Sequence, residues 1–272
     1  GFAGMQRYAR TWTGDNVSDY RSLAYNTIQG LGLGLSGIPF YGHDVGGFFG
    51  PFPDRELLLR FCQAAVFQPR FVIHSWKEGG VPVEPWSYPD LLPHIRDLVR
   101  LHYEFMPYIY NTAVEAHESG LPMERPLCLE FPEDGNVDPN DFAHLFGPSV
   151  YKVPAFSSGL ESVEVYLPGG ADWYDPVRKV LFRGGRRLSL DTPLEGVRYL
   201  VRTGSVLPTA PDLASLATGL FERVDFLLFP GEGEVRYHYV EDDGESDFLP
   251  ESRNEYEIRL GRAGEAGAGY RL

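Results

Sequence analysis

The hydrophobic periodicity of this 272-residue chain changes near Gly147. Before that point, short apolar runs alternate with longer segments in which apolar residues recur every three or four positions, a pattern that predicts strands alternating with helices. After it, the helical period disappears, and short β-type runs are separated by Ser-Gly, Gly-Gly and Thr-Gly turns. The sequence therefore predicts an α/β fold followed by an all-β fold.

The first part contains too few strands to close a sheet by itself. Strands are predicted at residues 37–41 and 70–74, and Asp54 is a suitable N-cap for the helix between them. A long helical pattern spans residues 89–119, where Pro107 is expected to introduce a kink. We therefore expect a truncated barrel or an open sheet that continues upstream of the first residue.

The spacing of the β-type runs predicts two units after the first part. Regular short strands from 147 to 210 are typical of a sandwich. A small, polar segment then leads to a further set of β runs. The predicted domains are therefore 1–146, 147–210 and 211–272, and the last is expected to be incomplete.

Composition excludes several classes of function. Acidic residues outnumber basic ones by 38 to 24, so the formal charge is −14 and nucleic-acid binding is not expected. No apolar run approaches the roughly 18 residues that a membrane span needs. The two cysteines are too few for a disulfide scaffold or a cysteine zinc site, which is compatible with the cytoplasm without requiring it. Nucleotide and serine-hydrolase motifs are missing from the sequence, and neither a cofactor nor a metal is expected.

Polar clusters occur in three loops of the first part, and each follows a candidate strand. They are Trp12-Thr-Gly-Asp15, His43-Asp44-Val-Gly-Gly and His74-Ser-Trp76. Because the active site of a (β/α)8 barrel is built at the carboxyl ends of its strands, these clusters are expected to converge on one mouth. Aromatic side chains that suit the apolar faces of sugar rings would line this mouth: Trp12, Phe40, Tyr41, Phe48, Phe49 and Trp76.

Each of these residues also has a plain structural alternative. Asp15 could be a turn residue or a helix cap, Asp44 a turn residue, and His74 a hydrogen-bonded core histidine. His43, Asp44 and His74 could together be read as a metal site, but the set has one carboxylate and lacks an HxxxH spacing. Residues 242–247 faintly resemble a calcium loop, although Asp-Gly between β runs favours a hairpin turn.

A longer series of short motifs runs in order through nearly all of residues 1–260. The motifs are Arg7-Tyr8, Trp12-Thr-Gly-Asp-Asn, Gly42-His-Asp-Val-Gly-Gly-Phe, Pro107-Tyr-Ile-Tyr, Arg125-Pro-Leu-Cys-Leu-Glu-Phe-Pro-Glu-Asp, Tyr166-Leu-Pro-Gly with Trp173-Tyr-Asp, Arg202-Thr-Gly-Ser-Val-Leu-Pro and Glu241-Asp-Asp-Gly-Glu-Ser. In this order and spacing the chain resembles the C-terminal portion of glycoside hydrolase family 31, the α-glucosidase and α-xylosidase family.

The resemblance implies a fold, a reaction and a set of site residues. The fold would be the second half of a (β/α)8 TIM barrel followed by two β-sandwich domains. The reaction would be retaining hydrolysis of α-linked oligosaccharides or α-glucosides from the non-reducing end, which needs two carboxylates about 5–5.5 Å apart. In the family pattern Asp15 is the general acid/base, and Asp44 and His74 bind hydroxyls of the terminal sugar. Trp12 and Phe48 would pack against the sugar ring.

The chain departs from the family pattern in two respects. The Trp-x-Asp-Met-Asn-Glu motif that supplies the family's nucleophile does not occur in these residues, and a substrate-binding arginine of the family would lie upstream of Gly1. The resemblance therefore implies a chain without the amino-terminal half of its barrel, inactive alone. The exposed edge of such a half-barrel predicts association, including homo-oligomers. An α-xylosidase, an α-transglucosidase and a non-catalytic carbohydrate-binding remnant remain alternatives.

Overall fold

The computed structural model describes residues 4–153, 155–213, 215–216, 221–244, 246, 252–262 and 270–271. A 3-10 helix at Met5–Arg7 precedes the helices α1 (Tyr20–Leu35), α2 (Arg55–Ala65), α3 (Leu92–Glu104), α4 (Met106–Ser119) and α5 (Leu127–Glu130). No helix in this described part is long and apolar enough to cross a membrane.

The strands are concentrated in the second half of the chain, as the change in periodicity predicts. They are β1 (Asp44–Val45), β2 (Val72–Ile73), β3 (Glu124–Pro126), β4 (His144–Phe146), β5 (Val150–Lys152), β6 (Ser162–Leu167), β7 (Trp173–Asp175), β8 (Val180–Phe182), β9 (Arg186–Asp191), β10 (Tyr199–Arg202), β11 (Ser205–Thr209), β12 (Asp225–Phe229), β13 (Val235–Asp242), β14 (Arg253–Arg262) and β15 (Tyr270–Arg271).

The amino-terminal part is an open parallel arrangement with helices beside it. β1 pairs with β2 in parallel, and α2 connects the two strands. Residues 11–13 run beside the segment that leads into β1, because the N–H of Thr11 donates to the carbonyl of Phe40 at 2.9 Å and that of Thr13 to Gly42 at 3.1 Å. Because the donors and the acceptors both advance by two residues in the same direction along the chain, the two segments run parallel. Among the described residues the strands do not close into a barrel.

The helix boundaries correct two expectations. Asp19, rather than Asp15, caps α1, since its Oδ1 accepts the N–H of Ser22 at 2.6 Å. The helix predicted over residues 89–119 is two helices that break at Phe105, and Pro107 lies in the first turn of α4, where its missing N–H costs no hydrogen bond. The N-cap predicted at Asp54 is confirmed, because its Oδ1 accepts the N–H of Leu57 at 2.8 Å.

The second part of the chain is antiparallel. Six strands form one sheet in the order β3-β4-β5-β10-β7-β8, and the pair β6–β9 shares a hydrophobic core with it around Trp173. β11 pairs with β12, and β13 with β14, which also pairs with β15. Strand pairing thus joins β4 to β5 across the predicted boundary at residues 146/147, and β11 to β12 across that at 210/211. The domain limits stay predictions.

A buried ionic cluster ties the parallel part to the six-stranded sheet. Glu124 in β3 is fully buried; it accepts a hydrogen bond from Lys152 Nζ at 2.6 Å and another from the Tyr41 hydroxyl. Burial by itself would raise the pKa of Glu124, but the Lys152 ammonium and the nearby His144 imidazole hold that pKa below its ordinary value. Since Tyr41 belongs to the segment that leads into β1, the cluster fixes this segment against the sheet.

Candidate active site

The three polar loops predicted from the sequence lie at one edge of the parallel part. The first loop lies at the end of the segment 11–13, the second at β1 and the third after β2. These three segments run in the same direction, so their carboxyl ends meet at that edge. Hydrogen bonds between the loops, together with a ring contact, show that they are neighbours. The predicted convergence of these loops is therefore present in the fold.

Asn16 links the first loop to the second. Its Nδ2 donates to the backbone carbonyl of Asp44 at 3.1 Å, and its Oδ1 accepts the N–H of Phe48 at 2.9 Å. The backbone carbonyl of Asn16 also accepts the N–H groups of Phe48, at 2.8 Å, and Phe49, at 3.1 Å. Because the side chain is buried, these bonds are shielded from water. Asn16 thus fixes the position of the adjacent Asp15 backbone relative to Asp44.

Asp44 presents a buried, charge-paired carboxylate at the start of the second loop. The residue is 1% exposed, and its Oδ1 accepts a hydrogen bond from Arg70 Nη2 at 2.8 Å. Arg70 also donates through Nη1 to the carbonyl of His43 at 3.0 Å. A carboxylate oxygen is a strong acceptor for a hydroxyl group. Asp44 lies in β1, and its carbonyl also accepts the N–H of Gly47 at 3.1 Å, so it is a strand residue that begins a turn, as the structural alternative for this residue expects.

His74 follows β2 and is exposed, so the core-histidine alternative for this residue is wrong. Its imidazole contacts the ring of Phe48, with centroids 5.3 Å apart and planes inclined at 43°. The N–H of Trp76 donates to the carbonyl of Phe48 at 2.7 Å, which brings the third loop against the second. His74 therefore offers a hydrogen-bonding group beside an aromatic surface.

Trp12 and Asp15 lie on the solvent side of the first loop. Trp12 is 51% exposed, and Asp15 is exposed too. Gly14 between them has φ +88°, a left-handed conformation that favours glycine. Both side chains are therefore accessible to a ligand at the same edge as Asp44 and His74.

His43 does not join this surface. It is fully buried and packs edge-on against Phe61 of α2, with centroids 5.4 Å apart. Burial, with a contribution from the positive charge of Lys152, lowers its pKa to about 3, so the imidazole is neutral at ordinary pH. In the described part of the chain, no three His, Cys, Asp or Glu side chains are arranged to hold a metal ion.

Sequence reasoning overlooked three residues that organise the site. Asn16 was part of a motif but received no role, and Arg70 and Lys77 were not singled out. The alternation of residues 70–74 could have revealed Arg70, since it puts Arg70 on the same face as His74. Lys77 sits in a polar loop next to Glu78, so its burial has no local signal.

Comparison with known proteins agrees with this arrangement. Residues 1–112 match the family model of the glycosyl hydrolases family 31 TIM-barrel domain, and residues 120–207 match that of the glycosyl hydrolase family 31 C-terminal domain. The chain is 36% identical over 208 residues to a probable glucan 1,3-alpha-glucosidase of Arabidopsis thaliana, covering 76% of this chain and 22% of the relative. It is 33% identical over 250 residues to an alpha-xylosidase of Saccharolobus solfataricus, covering 89% of this chain and 34% of the relative.

Solved structures show the same likeness. A glycoside hydrolase family 31 dextranase of Flavobacterium johnsoniae, complexed with glucose, superimposes with a TM-score of 0.88 at 31% identity, covering 97% of this chain and 34% of the dextranase. The chain thus spans about a fifth to a third of the length of these proteins. The chain belongs to glycosyl hydrolase family 31 and carries parts of that family's TIM-barrel and C-terminal domains.

Proposed function

We propose that this chain supplies the acid/base and sugar-binding side of a retaining α-glucosidase active site. The observation that carries the proposal is the convergence of Asp15, Asp44 and His74 at one sheet edge, tied together through Asn16 and Phe48. The names of the relatives, an α-glucosidase and an α-xylosidase among them, support an α-linked sugar as the substrate.

Each side chain takes a role that fits its surroundings. Asp15, exposed at the edge, protonates the departing glycosidic oxygen and later removes a proton from the attacking water. Asp44, paired with Arg70, accepts hydroxyl groups of the terminal glucose, and the His74 imidazole binds another hydroxyl. Phe48 and Trp12 provide the apolar surfaces against which a sugar ring packs.

The second carboxylate of a retaining mechanism has to come from elsewhere. The Trp-x-Asp-Met-Asn-Glu pattern, which the family resemblance assigns to the nucleophile, does not occur in the 272 residues. Without it the glycosyl-enzyme intermediate cannot form, and acid catalysis alone leaves most of the barrier in place. We therefore expect the chain by itself to have no appreciable glycosidase activity.

The exposed face of α1 supports a role within a larger barrel. Tyr25, Ile28 and Leu35 recur at helical spacing and are 61%, 53% and 57% exposed. In a closed (β/α)8 barrel each helix packs against its neighbours in the outer ring. We propose that a preceding barrel helix covers this face, and that the chain forms the second half of the barrel followed by two β-sandwich domains.

The proposal is tested by comparing the chain with the complete open reading frame that encodes it. The purified chain should not hydrolyse 4-nitrophenyl α-D-glucoside, whereas the product of the complete reading frame should. Asp15→Asn should abolish that turnover, while Asp138→Asn, in an exposed turn far along the chain, should leave it unchanged. Turnover by the chain alone that disappears in Asp15→Asn would contradict the requirement for a second carboxylate.

An α-xylosidase is the second candidate, because a relative of that name aligns over 89% of this chain. A xyloside lacks the hydroxymethyl group of a glucoside, so the two activities are separated by kcat/KM on the matched aryl α-glucoside and aryl α-xyloside. A higher value for the xyloside would replace the proposed substrate. Isothermal titration of the chain with maltose tests a binding role: saturable binding lost in Asp44→Asn, without turnover in the complete product, would favour a carbohydrate-binding protein.

A further inference from the structure

A buried lysine lies beneath the Phe48 loop, which we define as residues 46–49. Lys77 is 1% exposed, and its ammonium donates to the carbonyls of Gly47 at 2.9 Å and Phe49 at 3.2 Å, and to the hydroxyl of Ser18. Among the described residues no carboxylate forms a salt bridge with it. The positive charge is therefore neutralised by loop dipoles instead of by an acidic partner.

The bonding pattern requires the protonated form. An ammonium group has three donors, and the three acceptors around Lys77 Nζ use all of them. Burial lowers the pKa of Lys77 to about 8, so the group is still mainly protonated at neutral pH. Since burial of a charge is costly unless hydrogen bonds compensate it, the loop carbonyls and the ammonium stabilise one another.

Every backbone polar group around Phe48 is held in place. Its N–H is bound by Asn16 and its carbonyl by the N–H of Trp76, while Lys77 binds the carbonyls on either side of it. Ser18, which accepts from Lys77, in turn donates to the carbonyl of Gly46 at 2.7 Å. The orientation of the Phe48 ring against His74 therefore depends on a small set of buried contacts.

We propose that Lys77 is a positioning residue that fixes the Phe48 loop and so holds the Phe48 ring against the His74 imidazole. The part of this idea that concerns the sugar rests on the proposed function, which assigns substrate contacts to Phe48 and His74. The positioning itself does not depend on any activity and is measurable in the 272-residue chain. Lys77 acts through the loop and does not touch the substrate.

The test uses the proton resonances of the His74 ring in the histidine-labelled chain. The seven histidines are distinguished by the signal that disappears in His74→Gln. The Phe48 ring current shifts the His74 signal, and Phe48→Leu gives its position without that ring. Lys77→Met, which keeps the length of the side chain but removes its donors, should move the His74 signal towards the Phe48→Leu position.

Two further variants keep the test decisive. Lys77→Met in the Phe48→Leu background should cause no additional shift, because Lys77 acts through Phe48. Leu200→Ala, in the separate core of the six-stranded sheet, should lower the thermal midpoint without moving the His74 signal. If Lys77→Met does not fold, Ser18→Ala removes one acceptor and should give a smaller shift in the same direction.

The outcomes separate the two proposals. An unchanged His74 signal in folded Lys77→Met overturns the positioning role. Where Lys77→Met does not fold, an unchanged signal in folded Ser18→Ala does the same. If Lys77→Met shifts the His74 signal equally in the Phe48→Leu background, action through Phe48 is overturned. A shift of the expected kind supports the positioning role. If the shift occurs but Lys77→Met in the complete reading-frame product leaves kcat/KM for the aryl glucoside unchanged, the positioning role stands and the sugar contact assigned to Phe48 fails.

Discussion

Replacing Asn16 by alanine tests whether one side chain holds the first loop against the second. The substitution removes two hydrogen bonds, a buried one from Nδ2 to the Asp44 carbonyl and a partly buried one from the Phe48 N–H to Oδ1. Neither partner loses all of its hydrogen bonds, because the Phe48 N–H also donates to the backbone carbonyl of Asn16 and the Asp44 carbonyl also accepts the N–H of Gly47 at 3.1 Å. The loss of unfolding free energy therefore comes from the two lost hydrogen bonds alone, because the substitution leaves neither the Phe48 N–H nor the Asp44 carbonyl without a partner.

The expected loss of unfolding free energy follows from this count. At roughly 1 kcal/mol for each net hydrogen bond, Asn16→Ala should destabilise the chain by about 2 kcal/mol. Asn16→Asp should cost more, since it removes the donor and adds a negative charge beside the buried Asp44 carboxylate. Asn136→Ala is the matched control, because Asn136 is exposed and its Nδ2 donates to the nearby Asp134 carboxylate in a surface turn.

Urea unfolding followed by tryptophan fluorescence measures these differences, with Trp12 and Trp76 reporting from two of the joined loops. We expect a lower midpoint for Asn16→Ala with an unchanged slope, and a change in unfolding free energy within about 0.5 kcal/mol for the control. If Asn16→Ala is as stable as Asn136→Ala, the linking role of Asn16 is refuted.

Three further changes test the packing around the site by urea unfolding. Lys152→Met should cost about 3 kcal/mol, because it leaves the buried Glu124 carboxylate without its ammonium partner, and adding Glu124→Gln should recover part of the loss. Burial lowers the pKa of His43 in the folded chain, so its contribution to the free energy of unfolding is complete above the unfolded pKa of about 6.5. This contribution is lost as the pH falls from about 6.5 towards 3, by up to about 1.4 kcal/mol per pH unit. His43→Leu should flatten that part of the plot of stability against pH. Gly47→Ala should cost about 2 kcal/mol more than Gly79→Ala, since both have positive φ but only at Gly47 would the added carbon meet other atoms, at 2.5 Å. Equal costs at the two glycines would contradict the close approach.

The general organisation of the chain was predictable because it depends on local pattern. Helices with parallel strands are followed by antiparallel sheets, which begin at β3, somewhat before the loss of helical period near Gly147. The position of each polar cluster after an apolar run identified loops at one edge of the parallel part. Asp54 was predictable as a cap because it directly precedes an amphipathic helical pattern.

The errors have local physical causes too. Asp15 and Asp19 are both good capping residues within one short segment, so composition alone does not choose between them. The break at Phe105 places Pro107 at a helix start instead of inside a kinked helix, and only packing decides between the two.

The residues that sequence reasoning overlooked act over long separations. Arg70 bonds to Asp44 across 26 positions, and Lys77 bonds to Ser18 across 59. No periodicity connects such pairs, and a lysine in a polar loop resembles a solvated residue until the fold buries it. The site was therefore predictable as a set of loops, but the contacts that hold these loops were not.

Chemical rescue of an Asp15 variant tests the central claim most directly. In the product of the complete open reading frame, Asp15→Ala should still release 4-nitrophenol from the aryl α-glucoside, because this leaving group needs little acid assistance, but hydrolysis of the resulting intermediate should be slow. Azide needs no general base, so we expect it to accelerate turnover and to yield α-glucosyl azide. No acceleration by azide, or full activity of Asp15→Ala without it, would contradict the role of Asp15 as the general acid/base.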